Sequence, residues 1–131
     1  MEPKIRVWVV FGKQLKLGPG RAQLLRLIDE RGSLRQAAAE FGMSYRNAWG
    51  YLQELERAAG FRIVERRPRG GPRSGMRLTA AGHEFLDCYQ KFRRGLEEAS
   101  LRYFARSFKG KAFSSRKRSP ERSARAKAAA G

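Results

Sequence analysis

The chain is predicted to be mainly α-helical with a small amount of β-structure: a winged helix-turn-helix with an N-terminal β-hairpin and a long C-terminal helix. Three features of the 131 residues carry that expectation. Two capped helices meet at the glycine-containing turn of "EFGMS", which is the spacing of a helix-turn-helix. A glycine- and arginine-rich loop then separates two short strand-like segments, and a heptad-spaced apolar stripe runs along the last helix.

Residues 4–17, "KIRVWVVFGKQLKL", alternate well enough for two short strands about Gly12-Lys13, and glycine first in a two-residue loop suits a type II′ turn. "GPG" breaks that pattern. "RAQLLRLIDERG" places Leu24, Leu25, Leu27 and Ile28 on one broad helical face and stops at Gly32, a suitable residue to follow a helix. In "SLRQAAAEFG", Ser33 and Gln36 stand in capping-box relation, Ala37 to Ala39 permit close helix approach, and Gly42 ends a short helix of about 34–41. Ser44 then caps a third helix reaching about Ala59. "FRIVERR", "PRGGPRSG" and "MRL" read as strand, loop and strand, the wing. Thr79 caps the long helix "AAGHEFLDCYQKFRRGLEEASLRYF", and from Phe108 onward the composition is that of a disordered segment. The organisation expected is a DNA-binding domain over residues 1–105, including a dimerisation helix at 79–105, followed by a basic tail at 106–131.

The formal net charge is +17, which points to a polyanionic partner, nucleic acid foremost. Nine of the 29 bases and one of the 12 acids fall in residues 106–131, so residues 1–105 hold 20 bases and 11 acids and are basic in their own right. No apolar run approaches the roughly 18 residues of a membrane helix, and "MEPKIRVWVVF" lacks the parts of a secretory signal. A cytoplasmic, nucleoid-associated location is expected, with no membrane partner. One cysteine, Cys88, and one histidine, His83, build neither a disulfide nor a metal site, and no nucleophile or acid–base pair is set up. No enzyme activity, metal or cofactor is expected.

In the third helix Ala48, Leu52, Leu55 and Ala59 fall within a narrow sector, with Tyr45 at its edge and Trp49 on its flank, and these are expected to pack against the first two helices. Arg46, Asn47, Gly50 and Glu54 lie opposite. Arginine and asparagine offer bidentate complementarity to guanine and adenine edges, and the N-terminal end of this helix is the end that enters a major groove. Gly50 costs about 1 kcal/mol in a helix interior, which is explained if something approaches the backbone closely. The predicted interface is the recognition helix, about 44–59, with Ser44, Tyr45, Arg46, Asn47 and Gly50. Ser33, Arg35 and Gln36 join it from the second helix. The basic wing, 67–75, adds Arg66, Arg67, Arg69 and Arg73 on the backbone or minor groove.

Phe85, Tyr89, Phe92, Leu96, Ala99 and Tyr103 recur at spacings of four and three, a heptad seam on a helix longer than so small a domain covers. That predicts a homodimer presenting two recognition helices to a two-fold symmetric site. The competing reading folds this stripe back on the chain's own N-terminal hairpin. A sequence-specific regulator of transcription is the function these features favour. The alternatives are a nonspecific nucleoid-associated or architectural DNA-binding protein, motivated by the basic tail, and a module that recruits a different protein chain.

The segments "LGPGR", "GSL" with its following alanines, "GMSYRNAW" and "LTAAG", in that order over roughly residues 5–104, closely resemble the N-terminal DNA-binding domain of the molybdate-responsive ModE regulator family, whose winged helix is related to that of the LysR regulators. The resemblance implies a dimeric winged helix with Ser44, Tyr45, Arg46, Asn47 and Gly50 in the segment used for operator recognition. Members that respond to molybdate carry further C-terminal oxyanion-binding domains. The end of this chain is too short and too polar to be one, so molybdate binding by it is not expected. The family's wing is usually a run of glycines, whereas "RRPRGGPRSGMR" mixes them with arginine, which shifts weight toward backbone binding.

Overall fold

A computed structural model describes residues 1–13, 15–67 and 75–113. Arg69, Arg73 and the rest of the wing tip, and residues 114–131 of the basic tail, lie outside the described residues. The order of elements is β1 (Val9–Phe11), β2 (Leu15–Leu17), α1 (Pro19–Arg31), α2 (Leu34–Phe41), α3 (Tyr45–Ala59), β3 (Val64–Arg66), β4 (Met76–Leu78) and α4 (Ala80–Phe108).

Local signals set the helix boundaries. Ser33 and Ser44 accept hydrogen bonds from the backbone N–H of Gln36 and Asn47, and Thr79 from that of Gly82, so each cap satisfies a donor that the first turn leaves free. The serine half of the expected capping box is therefore formed. Gly32, Gly42 and Gly60 close the first three helices at φ of 68°, 83° and 82°, the left-handed conformation that a Cβ disfavours.

Four boundaries differ from expectation. Phe11 pairs with Leu15, which puts three residues rather than two between the strands of the first hairpin, with Gly12 at φ 62°. Strand pairing begins at Val9, not near Lys4. The "GPG" segment does not merely interrupt the chain: Pro19 opens α1, where its missing N–H and fixed φ cost nothing. The long helix runs on to Phe108, since nothing between Tyr103 and that point breaks it.

Leu17, Leu24, Leu25, Ile28, Leu52, Leu55 and Ile63 are fully buried and form the centre of the core between the three-helix unit and the strands. Ala37 and Ala38, buried at the α2 contact, let α2 approach closely, while Ala39 is exposed.

The second hairpin is fastened to the helices chiefly by its backbone. Met76 N–H donates to the Gly32 carbonyl at 2.9 Å, and Leu78 N–H to Asp29 Oδ1 at 3.0 Å. Glu56 Oε2 accepts from Ile63 N–H at 2.7 Å and Val64 N–H at 3.2 Å. His83, exposed at the surface, has its Nε2 3.4 Å from Asp29 Oδ2, which places the first turn of α4 beside α1. A Cβ on Gly82 would meet the Ile63 carbonyl oxygen, so only glycine allows the first turn of α4 this close to β3.

Candidate nucleic-acid interface

α3 divides lengthwise into three strips. Ala48, Leu52 and Leu55 face the core with 0–1 % exposure. Arg46 and Asn47 are exposed on the outer strip, with Gly50 near them. A Cβ built on Gly50 meets nothing within 4 Å, so the chain's own packing does not require glycine there, and the outer surface is left flat at that point. The third strip, Tyr45, Trp49, Gln53 and Glu56, faces a cleft of about 1080 Å³ bounded by α2, α3 and the second hairpin.

Tyr45 and Trp49 correct the sequence expectation. They are 44 % and 40 % exposed rather than packed against α1 and α2. Each lies some 50–90° around the helix from the middle of the buried stripe. On that side the neighbour is the cleft, because Glu56 fixes the base of the hairpin and leaves the space above it open.

Of the predicted interface residues, Ser33, Arg35, Gln36, Tyr45, Arg66 and Arg67 all line this cleft. Ser33 and Ser44 act as caps through their hydroxyls. Arg46, Asn47 and Gly50 are not in the cleft wall but on the adjoining outer strip, so the predicted residues form two neighbouring surfaces. Sequence reasoning missed Trp49 and the anchoring carboxylates Asp29 and Glu56. The angular position of Trp49, off the stripe, was the available signal for it, whereas the two carboxylates act only through tertiary contacts.

Charge pairing sorts the arginines. Arg31 forms a two-pronged bond with Glu40, at 2.7 and 2.8 Å, which holds the Glu40 carboxyl below its ordinary range. Arg62 lies 3.5 Å from Glu56 and Arg77 lies 3.1 Å from Glu65. Arg35, Arg46, Arg66 and Arg67 have no acidic partner among the described residues. The Arg35 guanidinium sits 4.6 Å from the Tyr45 ring centroid, a cation–π arrangement that orients both side chains at the mouth of the cleft. The Arg67 guanidinium covers Gly32, within 2.5 Å of where a Cβ would stand, so the root of the wing rests on the α1–α2 turn.

On the far side of α3 the Tyr51 hydroxyl donates to the Lys16 carbonyl at 3.1 Å, tying α3 to the first hairpin. Burial pushes the Tyr51 phenol up to about 12, so it remains a neutral donor at ordinary pH.

The long helix splits its heptad stripe. The Phe85 ring lies 5.5 Å from that of Phe11 and 6.0 Å from that of Phe61, and the Tyr89 hydroxyl donates to the Val7 carbonyl at 2.8 Å. These two residues pack within their own chain. Phe92, Leu96 and Tyr103 stand 52 %, 37 % and 61 % exposed, and Ala99 is half-buried. Leu101 and Phe108 are exposed on a different side of the same helix. Among the described residues no helix is long and apolar enough to cross a membrane, and no cluster of His, Cys, Asp or Glu is placed to hold a metal ion.

Residues 20–83 match the family model for the bacterial regulatory helix-turn-helix protein, lysR family. The transcriptional regulator ModE of Haemophilus influenzae is 29 % identical over 96 residues, which are 73 % of this chain and 38 % of that protein. The DNA-binding transcriptional dual regulator ModE of Escherichia coli (strain K12) is 30 % identical over 89 residues, 68 % of this chain and 34 % of that one. The chain thus spans little more than a third of the length of these relatives. A crystal structure of a CbnR DBD–DNA complex superposes with a TM-score of 0.50 at 26 % identity, covering 66 % of this chain and 93 % of that one. The folded unit is a winged helix-turn-helix: residues 20–83 belong to the LysR type of bacterial regulatory helix-turn-helix domain, and the chain is homologous to ModE regulators over about 70 % of its length.

Proposed function

We propose that the chain is a sequence-specific DNA-binding regulator of transcription that works as a homodimer. The observation that carries this reading is the outer strip of α3. An arginine and an asparagine with no demand from the chain's own packing stand beside a glycine whose missing side chain leaves the backbone open to approach. In this reading the N-terminal half of α3 enters a major groove, with Arg46 and Asn47 reading base edges. Arg35, Arg66 and Arg67, which have no acidic partners among the described residues, hold phosphates from the cleft side, and Arg69 and Arg73 extend that contact from the wing. The fold likeness to a structure solved with DNA, and the names of the ModE relatives, support the same class of partner. The exposed part of α4 joins two copies, and the protein acts on the cytoplasmic nucleoid.

The test is selection of binding sites from a random duplex pool at near-physiological salt, with the wild type and Arg46→Ala in parallel. The wild type is expected to enrich a two-fold symmetric motif. Arg46→Ala is expected to lose about 1–3 kcal/mol of discrimination at one base position in each half-site, the worth of a bidentate contact. Tight binding without enrichment would replace this reading by the nonspecific architectural one, which the net charge of +17 would then explain.

A further inference from the structure

The cleft beside α3 carries two exposed aromatic side chains among its charged and polar groups. Trp49 stands in its wall 40 % exposed, and Tyr45, one turn earlier, is 44 % exposed beneath the Arg35 guanidinium. Half-buried Met76 also lines it, over the buried Leu34, Leu52 and Val64, and Arg35, Arg66 and Arg67 are part of the same lining. An exposed indole on a rigid helix, in a cleft shared with arginines that have no acidic partner among the described residues, suits a partner that is anionic at its edge and apolar just inside. Duplex DNA has that construction, since each phosphate is followed by the carbon face of a deoxyribose and thymine adds a methyl group in the major groove.

Resting on the DNA-binding reading above, we propose that Trp49, with Tyr45 beside it, packs against apolar carbon of the duplex and supplies a salt-insensitive part of the affinity. The source of that carbon is a deoxyribose face or a thymine methyl, and both present the same chemistry to the indole. The arginines draw the phosphates to the cleft, which brings this carbon surface onto the aromatic wall. Arg35 contributes twice, as a charge toward phosphate and as the group that fixes the Tyr45 ring.

Because the chain has two tryptophans, a Trp8→Phe background leaves Trp49 as the sole indole fluorophore. Titration of that protein with a duplex carrying the selected site is expected to change the Trp49 emission and to shield it from acrylamide. Trp49→Ala is expected to lower affinity about tenfold at every salt concentration, as for loss of a large buried aromatic side chain, with the slope of log K against log salt unchanged. Trp49→Phe should remain within about threefold, because the ring is conserved. Arg67→Ala is the contrast: it should flatten the slope by about 0.9 per subunit, the value for one neutralised phosphate. A duplex with uracil for thymine reproduces the Trp49→Ala loss in the wild type if the methyl is the partner, and leaves affinity unchanged if the sugar is.

Unquenched, acrylamide-accessible Trp49 emission in the bound state would overturn the proposal, as would a Trp49→Ala protein, folded by circular dichroism, that binds like the wild type or changes the slope. In those cases duplex binding by the wild type leaves the DNA reading intact. Failure of the wild type to bind any duplex would end both, and the same titration distinguishes the two results.

Discussion

Replacing Phe92 and Leu96 together by aspartate is expected to convert a homodimer to a monomer and to lower affinity for a two-fold symmetric site by about 10²–10⁴-fold, the factor lost when two linked binding events become separate. Monomer affinity for a single half-site should be unchanged. The choice of residues follows from how the chain divides α4. Phe85 and Tyr89 are already engaged with Phe11, Phe61 and the Val7 carbonyl, so aspartate there would damage the fold before it touched any assembly. Phe92 and Leu96 continue the same stripe but are 52 % and 37 % exposed, beyond the reach of the domain. Sedimentation measures the oligomeric state, and a half-site duplex beside the full site separates lost avidity from lost contacts. A wild-type monomer in solution would sink the homodimer reading outright. A dimer that survives the double substitution would move the interface to the other exposed apolar side of α4, around Leu101 and Phe108.

How much of this was legible in the sequence depended on how far each signal reaches along the chain. Caps act over three residues, so Ser33, Ser44, Thr79 and the closing glycines Gly32 and Gly42 could be read directly, and the helix order followed from them. Arg46, Asn47 and Gly50 were placed on the outer face of α3 by helical period alone, and the structure leaves Arg46 and Asn47 exposed and Gly50 open. Period does not say what stands beside a helix. It therefore assigned Tyr45 and Trp49 to packing, although the hairpin that would have to cover them is held at the cleft's base by Glu56, seven and eleven residues further along the chain. For the same reason the six-residue heptad of α4 read as one continuous seam, when its first two members meet Phe11 and Val7 from the opposite end of the chain. The first hairpin was misread by a single residue, enough to change its turn.

Glu56→Ala is expected to lower the unfolding free energy by about 2 kcal/mol or more and to weaken DNA binding through the wing rather than through α3. One oxygen of this half-buried side chain accepts the N–H groups of both Ile63 and Val64, at 2.7 and 3.2 Å, just where the chain leaves α3 for β3. Alanine leaves two backbone donors in a largely apolar setting without an acceptor, each at a cost of about 1–3 kcal/mol before partial rescue by water. Arg62, 3.5 Å from the same oxygen, loses its counter-charge but is well exposed and adds little. Glu56→Gln retains a carbonyl oxygen for one or both donors and is expected to recover more than half of the lost stability. Denaturant unfolding of both variants measures this. If alanine and glutamine destabilise equally, charge rather than backbone satisfaction is what Glu56 contributes. The functional consequence follows from geometry: Val64 pairs with Leu78, whose N–H is held by Asp29, so Glu56 and Asp29 grip the two strands of one hairpin from α3 and α1. Loosening the Glu56 side frees the hairpin's angle to α3. Arg66 and Arg67 would then meet phosphate over a range of positions while Arg46 and Asn47 keep theirs. Base preference in the selection experiment should therefore persist, with a smaller salt slope.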